Sequence, residues 1–315
     1  MAESSPVVIA SGRVRASLAF SRLIPALRAA FAAGAEVPLR HTHPLSAPGS
    51  SMLLMPAWQG ETMLGVKIVT IFPGNSARGL NALHSTYLLC DGATGRPLAL
   101  IDGNEITGRR TVAASALAGD FLVRRDASRL LIVGSGHIAG MLAPAWATVR
   151  PIREVQVWSP RPAHAESLAA RLRDAGFAAA AAAELEPAVR AADIVSCATL
   201  AEAPLVHGDW LRPGTHLDLI GSFRPTMREA DDAAVRRARV WIDCPAALDE
   251  SGDLIQPIAS GALARAAIAG DLAALCRGTV PGRADAQEIT LFKSVGTGLE
   301  DLAAATLVWR DAAPA

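Results

Sequence analysis

The chain has 315 residues, 51% of them hydrophobic, with 30 basic and 30 acidic side chains for a formal net charge of zero. That is enough apolar material for two domains of ordinary size. Balanced charge without blocks of either sign excludes electrostatically driven binding to nucleic acid or to an anionic membrane surface. The four scattered cysteines, with no histidines at ligand spacing, exclude a zinc module and leave no metal site to expect.

From Val14 to Ala33, Leu, Phe and Ile recur at helical spacing, which predicts an amphipathic helix, kinked or restarted at Pro25 and ended by Gly34. Residues 37–40 and 51–58 read as two strands around a Ser/Pro/Gly turn, and 63–72 as a third. Tyr87–Cys90 and Pro97–Asp102 flank Asp91-Gly92-Ala93-Thr94-Gly95, a hairpin signal. The N-terminal part is therefore expected to be mostly antiparallel. Residues 104–118 open polar and turn small and apolar, as a closely packed helix would, with Arg110 placed near its start. There the guanidinium opposes the helix dipole, a misfit relieved either by solvent or by an anion held nearby.

Only Lys67 and Lys293 among the basic residues are lysines; the other 28 are arginines. Both lie inside apolar stretches, Leu64–Val69 and Leu291–Val295. An ammonium whose pKa responds to burial differs in kind from a guanidinium. Lys67 and Lys293 are thus either candidates for a site or strand lysines reaching solvent from an edge.

Leu130-Leu131-Ile132-Val133-Gly134-Ser135-Gly136-His137-Ile138-Ala139 is an apolar run that breaks into G-x-G-x-x-A and continues as an Ala/Leu-rich helix carrying Pro144. The first glycine permits a tight turn, the second lets backbone N–H groups approach a pyrophosphate, and the small third residue lets helix and strand pack. The helix N-terminus supplies unpaired N–H groups to the phosphates. About twenty residues on, the next apolar run ends in Ser159-Pro160-Arg161 rather than Asp or Glu. A hydroxyl and a guanidinium suit a 2′-phosphate, so the expected cofactor is NADPH, with NADH possible. Further apolar strands at 194–198, 217–220 and 240–243 alternate with helical stretches at 163–175 and 185–192, as in a doubly wound sheet. Ligand loops follow the carboxyl ends of such strands, here at Thr199-Leu200 and at Ile220-Gly221-Ser222-Phe223-Arg224-Pro225.

The order of these motifs resembles the ornithine cyclodeaminase and mu-crystallin family over nearly the whole chain. The resemblance is carried by Leu54-Met55-Pro56-Ala57, Val66-Lys67-Ile68-Val69-Thr70, Ile101–Thr107, Arg110-Thr111, the Gly134 loop, Trp210–Gly214, Arg224-Pro225 with Arg228-Glu229, and Phe292-Lys293-Ser294-Val295-Gly296. It implies an α/β fold with a Rossmann domain (126–287) inserted in a discontinuous α+β substrate and dimerisation domain (1–125 with 288–315), and a homodimer. It implies a substrate carboxylate held by Arg40, Lys67 and Arg110, with Ser222 beside them and Lys67 and Arg110 catalytic. On the cofactor side it implies His84, Arg110, Gly134, Gly136, His137, Ile138, Ser159, Arg161, Thr199, Leu200, Ile220, Lys293 and Ser294. Cyclodeaminases carry an aspartate where Phe223 stands, and phenylalanine cannot act as a base. The variant looks closer to the ketimine reductase branch, so the expected reaction is reduction of a small cyclic imino acid. Ornithine cyclodeamination, with Glu105 standing in as the acid, amino-acid dehydrogenation and simple ligand binding are the rivals. No apolar run approaches the roughly 20 residues of a bilayer span, and the N-terminus lacks the plan of a signal peptide, so the expected location is the cytoplasm.

Overall fold

The computed structural model describes residues 5–313. The chain forms two units: one runs up to Arg110 and resumes at Thr297, and the other, Thr111–Gly296, is inserted between those halves.

The first unit is built on a six-stranded sheet of β1 (Val7–Ile9), β2 (His41–Pro44), β3 (Ser51–Gln59), β4 (Met63–Ile71), β5 (Leu83–Asp91) and β6 (Pro97–Asp102). Its order is β1-β6-β5-β4-β3-β2, antiparallel except for the β1–β6 pair. Alternation along β4 buries Gly65, Lys67 and Val69 on one face. Helices α1 (Ser11–Ser17), α2 (Phe20–Ala33) and the last helix of the chain, α11 (Gly298–Ala312), complete the unit. Phe20, Leu23, Ile24, Leu27 and Phe31 of α2 are buried at spacings of three and four, which is the stripe the sequence predicts. The expected break at Pro25 is displaced, however. The chain bends by 76° at Leu18-Ala19, between α1 and α2, and Pro25 sits inside α2. The strand expected at 37–40 lies instead at His41–Pro44, paired with β3.

α3 (Gly103–Leu122) leads from the first unit into the second. Asp102 accepts a hydrogen bond from the backbone N–H of Glu105 at 2.8 Å and so caps α3. Arg110 therefore lies two turns inside the helix, not at its start.

The second unit holds a wholly parallel eight-stranded sheet: β7 (Arg129–Val133), β8 (Glu154–Trp158), β9 (Ala179–Ala181), β10 (Ile194–Cys197), β11 (His216–Leu219), β12 (Arg239–Ile242), β13 (Ile268–Asp271) and β14 (Thr290–Lys293). The order β13-β12-β14-β11-β10-β7-β8-β9 reverses direction between β7 and β10, the switch point at which doubly wound sheets bind ligands. Connecting helices are α4 (Ala139–Val149), α5 (Pro162–Asp174), α6 (Leu185–Ala191), α7 (Asp232–Arg237), α8 (Ala247–Glu250), α9 (Gly252–Ala259) and α10 (Leu272–Arg277). Buried runs such as Leu130–Val133 have both faces covered, as a parallel sheet requires. β14 was expected with the C-terminal segment from 288; it lies in the middle of this sheet, between β11 and β12.

Gly119 in α3 shows how tightly this unit is packed, because a Cβ added there would overlap the fully buried ring of Trp146 in α4. In a helix interior, glycine to alanine ordinarily gains up to about 1 kcal/mol. Here Gly119→Ala is expected to destabilise by about 1–3 kcal/mol through overpacking, read as a lower midpoint of urea unfolding.

Candidate functional site

In the first unit the two cations singled out by sequence come together. Lys67 from β4 is 2% exposed and Arg110 from α3 is 5% exposed. Two buried carboxylates from the first turn of α11 answer them. Lys67 Nζ donates to Asp301 Oδ1 at 2.9 Å and lies 2.8 Å from Oδ2. Arg110 donates through Nε to Asp301 Oδ1 at 3.0 Å and through Nη1 to Glu300 Oε2 at 2.7 Å. Placing two acids at a helix N-terminus is favourable in itself, since they meet the positive end of the dipole, and Thr297 caps that end by accepting from the N–H of Leu299. α11 is thereby a ready counter-charge for a strand lysine and a helix arginine. Burial pushes the Lys67 ammonium down to about 8, Arg110 and the nearby Arg40 act in the same direction, and Asp301 pulls it back up. The Asp301 carboxyl is held below its usual range by Lys67 and Arg110 against the opposing effect of its own burial. Arg40, half-buried just before β2, is thus close enough for its charge to act on Lys67.

In the second unit the glycine loop connects β7 to α4. Gly134 adopts φ +117°, and a Cβ there would sit 2.5 Å from the carbonyl oxygen of Ala198. Only glycine passes that point. At Gly136 nothing lies within 4 Å of a would-be Cβ, so the backbone is open to a close ligand. His137 is exposed and Ile138 half-buried ahead of α4. At the end of β8, Ser159 is buried with its Oγ 3.2 Å from Ser135 Oγ, and Arg161 is exposed. The cradle therefore has the strained turn, the open second glycine and the polar strand end that a dinucleotide needs. Thr199 and Leu200 follow β10, with Leu200 77% exposed, and Ile220 and Phe223 follow β11, with Phe223 41% exposed beneath the Arg224 guanidinium.

Other expected residues are placed differently. Ser222 was expected beside the substrate, yet it is fully buried, its Oγ donating to Met227 O at 2.7 Å and lying 2.8 Å from Ser251 Oγ. Lys293 was expected to face the cofactor, yet it is also fully buried, donating to Leu219 O at 3.0 Å and lying 3.3 Å from Asp253 Oδ2. Its neighbour Ser294 is 3% exposed, and its Oγ has no hydrogen-bond partner among the described residues. Glu105, the substitute acid considered for Phe223, is bound by Arg15 and Arg109 and makes no bond to Lys67 or Arg110. His84 is exposed on β5 opposite Thr70. Sequence reasoning missed Glu300 and Asp301, and in the second unit the buried acids Asp218, Glu229, Asp243 and Asp253. An acidic pair three and four residues after Thr297, at the mouth of a helical run, was the available signal for the first two.

Removing one member of a buried ion pair strands the other and costs about 3–5 kcal/mol. Asp301→Asn is accordingly expected to lower stability at pH 7 by that order, as measured by urea unfolding. Without its partner Lys67 releases its proton more readily. Between the folded-state value near 8 and the ordinary value of 10.5 the unfolded chain binds this proton and the folded chain does not, so stability rises with pH across that window. In Asp301→Asn that rise begins below pH 8, where the wild type does not yet share it, so the deficit is expected to shrink between pH 7 and pH 8 and to stay level above.

Comparison with known proteins places this geometry. A model of the ornithine cyclodeaminase/mu-crystallin family matches residues 5–314. The Delta(1)-pyrroline-2-carboxylate reductase of Paracoccus denitrificans is 41% identical over 268 residues, 84% of this chain and 85% of that protein. Among solved structures, the Delta(1)-pyrroline-2-carboxylate reductase of Thermococcus litoralis, in complex with NADH and L-proline, superposes with a TM-score of 0.92 at 32% identity over 97% of both chains. An archaeal alanine dehydrogenase dimer with bound NAD superposes with a TM-score of 0.91 at 26% identity over 98% of this chain and 96% of that one. With its Rossmann-type sheet, its separate antiparallel unit and a match over nearly its full length, the chain belongs to the ornithine cyclodeaminase/mu-crystallin family.

Proposed function

We propose that the chain is an NAD(P)H-dependent reductase of cyclic imino acids, converting pyrroline-2-carboxylate or piperideine-2-carboxylate to proline or pipecolate. The observation that carries this reading is the buried Lys67–Asp301–Arg110–Glu300 cluster, two cations fixed by two acids on a chain that also holds a glycine cradle of dinucleotide form. The relatives named for pyrroline-2-carboxylate reduction support it.

The reaction asks for positioning more than for covalent chemistry, because a protonated imine is already an electrophile. Arg40, Lys67 and Arg110 hold the substrate carboxylate, the guanidinium groups through paired N–H donors. Lys67, anchored by Asp301 and titrating near 8, keeps a proton at Nζ that it can lend to the imine nitrogen. A bound nicotinamide supplies the hydride. The backbone of Gly134, Gly136, His137 and Ile138 takes the pyrophosphate, and Thr199, Leu200 and Ile220 line the rest of the dinucleotide, with Ser294 toward its nicotinamide end. Ser159 and Arg161 take a 2′-phosphate, which makes NADPH the preferred cofactor over NADH. We place the enzyme in a reducing compartment, the cytoplasm, because its four cysteines form no disulfide among the described residues. We further infer a homodimer, by analogy with the dimeric neighbour.

The test follows the absorbance of the reduced nicotinamide with each imine, beside L-ornithine with NAD+. Rapid NADPH oxidation is expected, falling about 100-fold in Lys67→Met and Arg110→Ala, the loss expected when substrate positioning fails. Inert imines together with ammonia release from ornithine would establish a cyclodeaminase instead. For the cofactor, Ser159→Ala with Arg161→Ala is expected to raise KM for NADPH about tenfold and leave that for NADH unchanged, since only NADPH brings a phosphate to those side chains.

A further inference from the structure

Lys293, Asp253 and Glu229 form a buried chain of charges in the second unit that the proposed chemistry does not use. Each is fully buried. Glu229 Oε1 accepts from Thr199 N–H at 2.8 Å and from Thr199 Oγ at 2.8 Å, and Oε2 accepts from Gly221 N–H at 2.7 Å. One carboxylate thus takes three donors from two loops, those following the adjacent parallel strands β10 and β11. Between these strands the backbone ladder runs out at the bond from Ile220 N–H to Cys197 O, 2.9 Å. The loops approach so closely that a Cβ on Gly221 would overlap the Thr199 backbone and lie 2.5 Å from Glu229 Oε1. Glu229 is itself held rigidly: its N–H donates to Asp253 Oδ1 at 2.7 Å, and its carbonyl accepts from Leu205 and Val206 at 2.9 and 3.0 Å. Asp253, in the first turn of α9, is answered by Lys293. From the tied loops project Leu200 and Phe223, two large apolar side chains left exposed at the carboxyl end of the sheet.

We propose that Glu229 is a positioning residue that ties the Thr199 loop to the Gly221 loop and thereby holds open the surface on which the dinucleotide lies, with Asp253 and Lys293 as its support. This rests on the dinucleotide reading above. Glu229 acts through the loops and does not itself touch the ligand.

A carboxylate accepts all three bonds, whereas a protonated carboxyl places an O–H against one of those donors and releases it. Burial and Asp253 hold Glu229 up at about 7, against Lys293 and the bonds from Thr199. The Cys197 thiol is the other titratable group facing it, and burial keeps that thiol protonated. Arg228 is turned away to Asp232 and Ala230 O. The tie is therefore strongest above neutrality and loosens as the pH falls.

The test uses the whole chain, with NADH as the probe because NADH has no 2′-phosphate to titrate in this range. Binding is followed by its fluorescence at pH 6, 7 and 8, and amide exchange of residues 199–201 and 220–223 is measured without ligand. Wild-type affinity is expected to fall about tenfold from pH 8 to pH 6 as the carboxylate is lost. Glu229→Gln is expected to keep the weak pH 6 value throughout and to exchange faster in both loops. Thr199→Val keeps the backbone donor and loses the hydroxyl, and is expected to bind at an intermediate level with the pH dependence retained. A purely structural glutamate would leave the wild type independent of pH and the variant weaker by one factor at every pH, which overturns the proposal. Equal profiles and equal exchange in wild type and Glu229→Gln also overturn it, and leave the dinucleotide reading standing. Wild-type protein that binds neither NADH nor NADPH at any pH overturns the dinucleotide reading, and this inference falls with it.

Discussion

A lysine and an arginine stand together inside a folded unit only if something there answers their charge. Here the answer is the first turn of α11, where Glu300 and Asp301 meet Arg110 and Lys67 at 2.7–3.0 Å. The arrangement brings together a strand, a helix and the returning C-terminal segment, which are far apart along the chain. Buried ion pairs are poor sources of net stability, because desolvation consumes most of the attraction. Under the carboxylate-binding role proposed above, their value is different: cations already stripped of water and fixed in place need little reorganisation to accept an anion. The counter-charges keep Lys67 from losing its proton altogether, and burial keeps it from holding that proton too firmly.

The second unit treats charge differently. Its acids, Asp218 within β11, Glu229, Asp243 just after β12 and Asp253 in α9, are turned inward to hydroxyls and backbone N–H groups. Asp243, for instance, accepts from the N–H groups of Val295 and Gly296, fixing the exit from β14. Asp218 joins a helix to the neighbouring strand through Ser115 and Ser196, while Glu229, Asp243 and Asp253 bond the backbone of loops. Lys293 belongs to this internal scheme. The two lysines of the chain therefore have unlike duties, one set in a cation cluster and the other neutralising acids.

What could be read in the sequence was what is local. The Gly134 loop, the alternation of β4 and the stripe of α2 each occupy one window of chain, and their residue types follow directly from backbone geometry and burial. Lys67 and Arg110 stood out because an arginine-rich chain placed a lysine in an apolar strand and an arginine against a helix dipole. The second of these signals pointed to a real residue for a mistaken reason: α3 begins at Gly103, and the anions near Arg110 come from Glu300 and Asp301, more than 180 positions away. Pairings over such separations leave no periodic trace. The same holds for Ser222, whose hydroxyl could be placed in a ligand loop but whose direction, inward to Met227, depends on a turn that folds back on itself. The four residues of β14 gave too short a run to say which sheet they joined.

The position of β14 has a consequence for how the chain comes off the ribosome. The strand that fills the gap between β11 and β12 is Thr290–Lys293, the last of the eight in sequence, so the sheet stays split in two until those residues have been synthesised. The first unit waits as well, because Lys67 and Arg110 have no counter-charge until α11 is synthesised. The inserted unit is complete once Gly296 has been made, whereas the first unit still needs α11, so the unit that begins first closes last, unlike consecutive domains that fold in order. Until Thr290–Lys293 is in place, β11 and β12 each keep an open edge toward the gap, and closing it is a pairing distant in sequence that comes late in the folding of this unit.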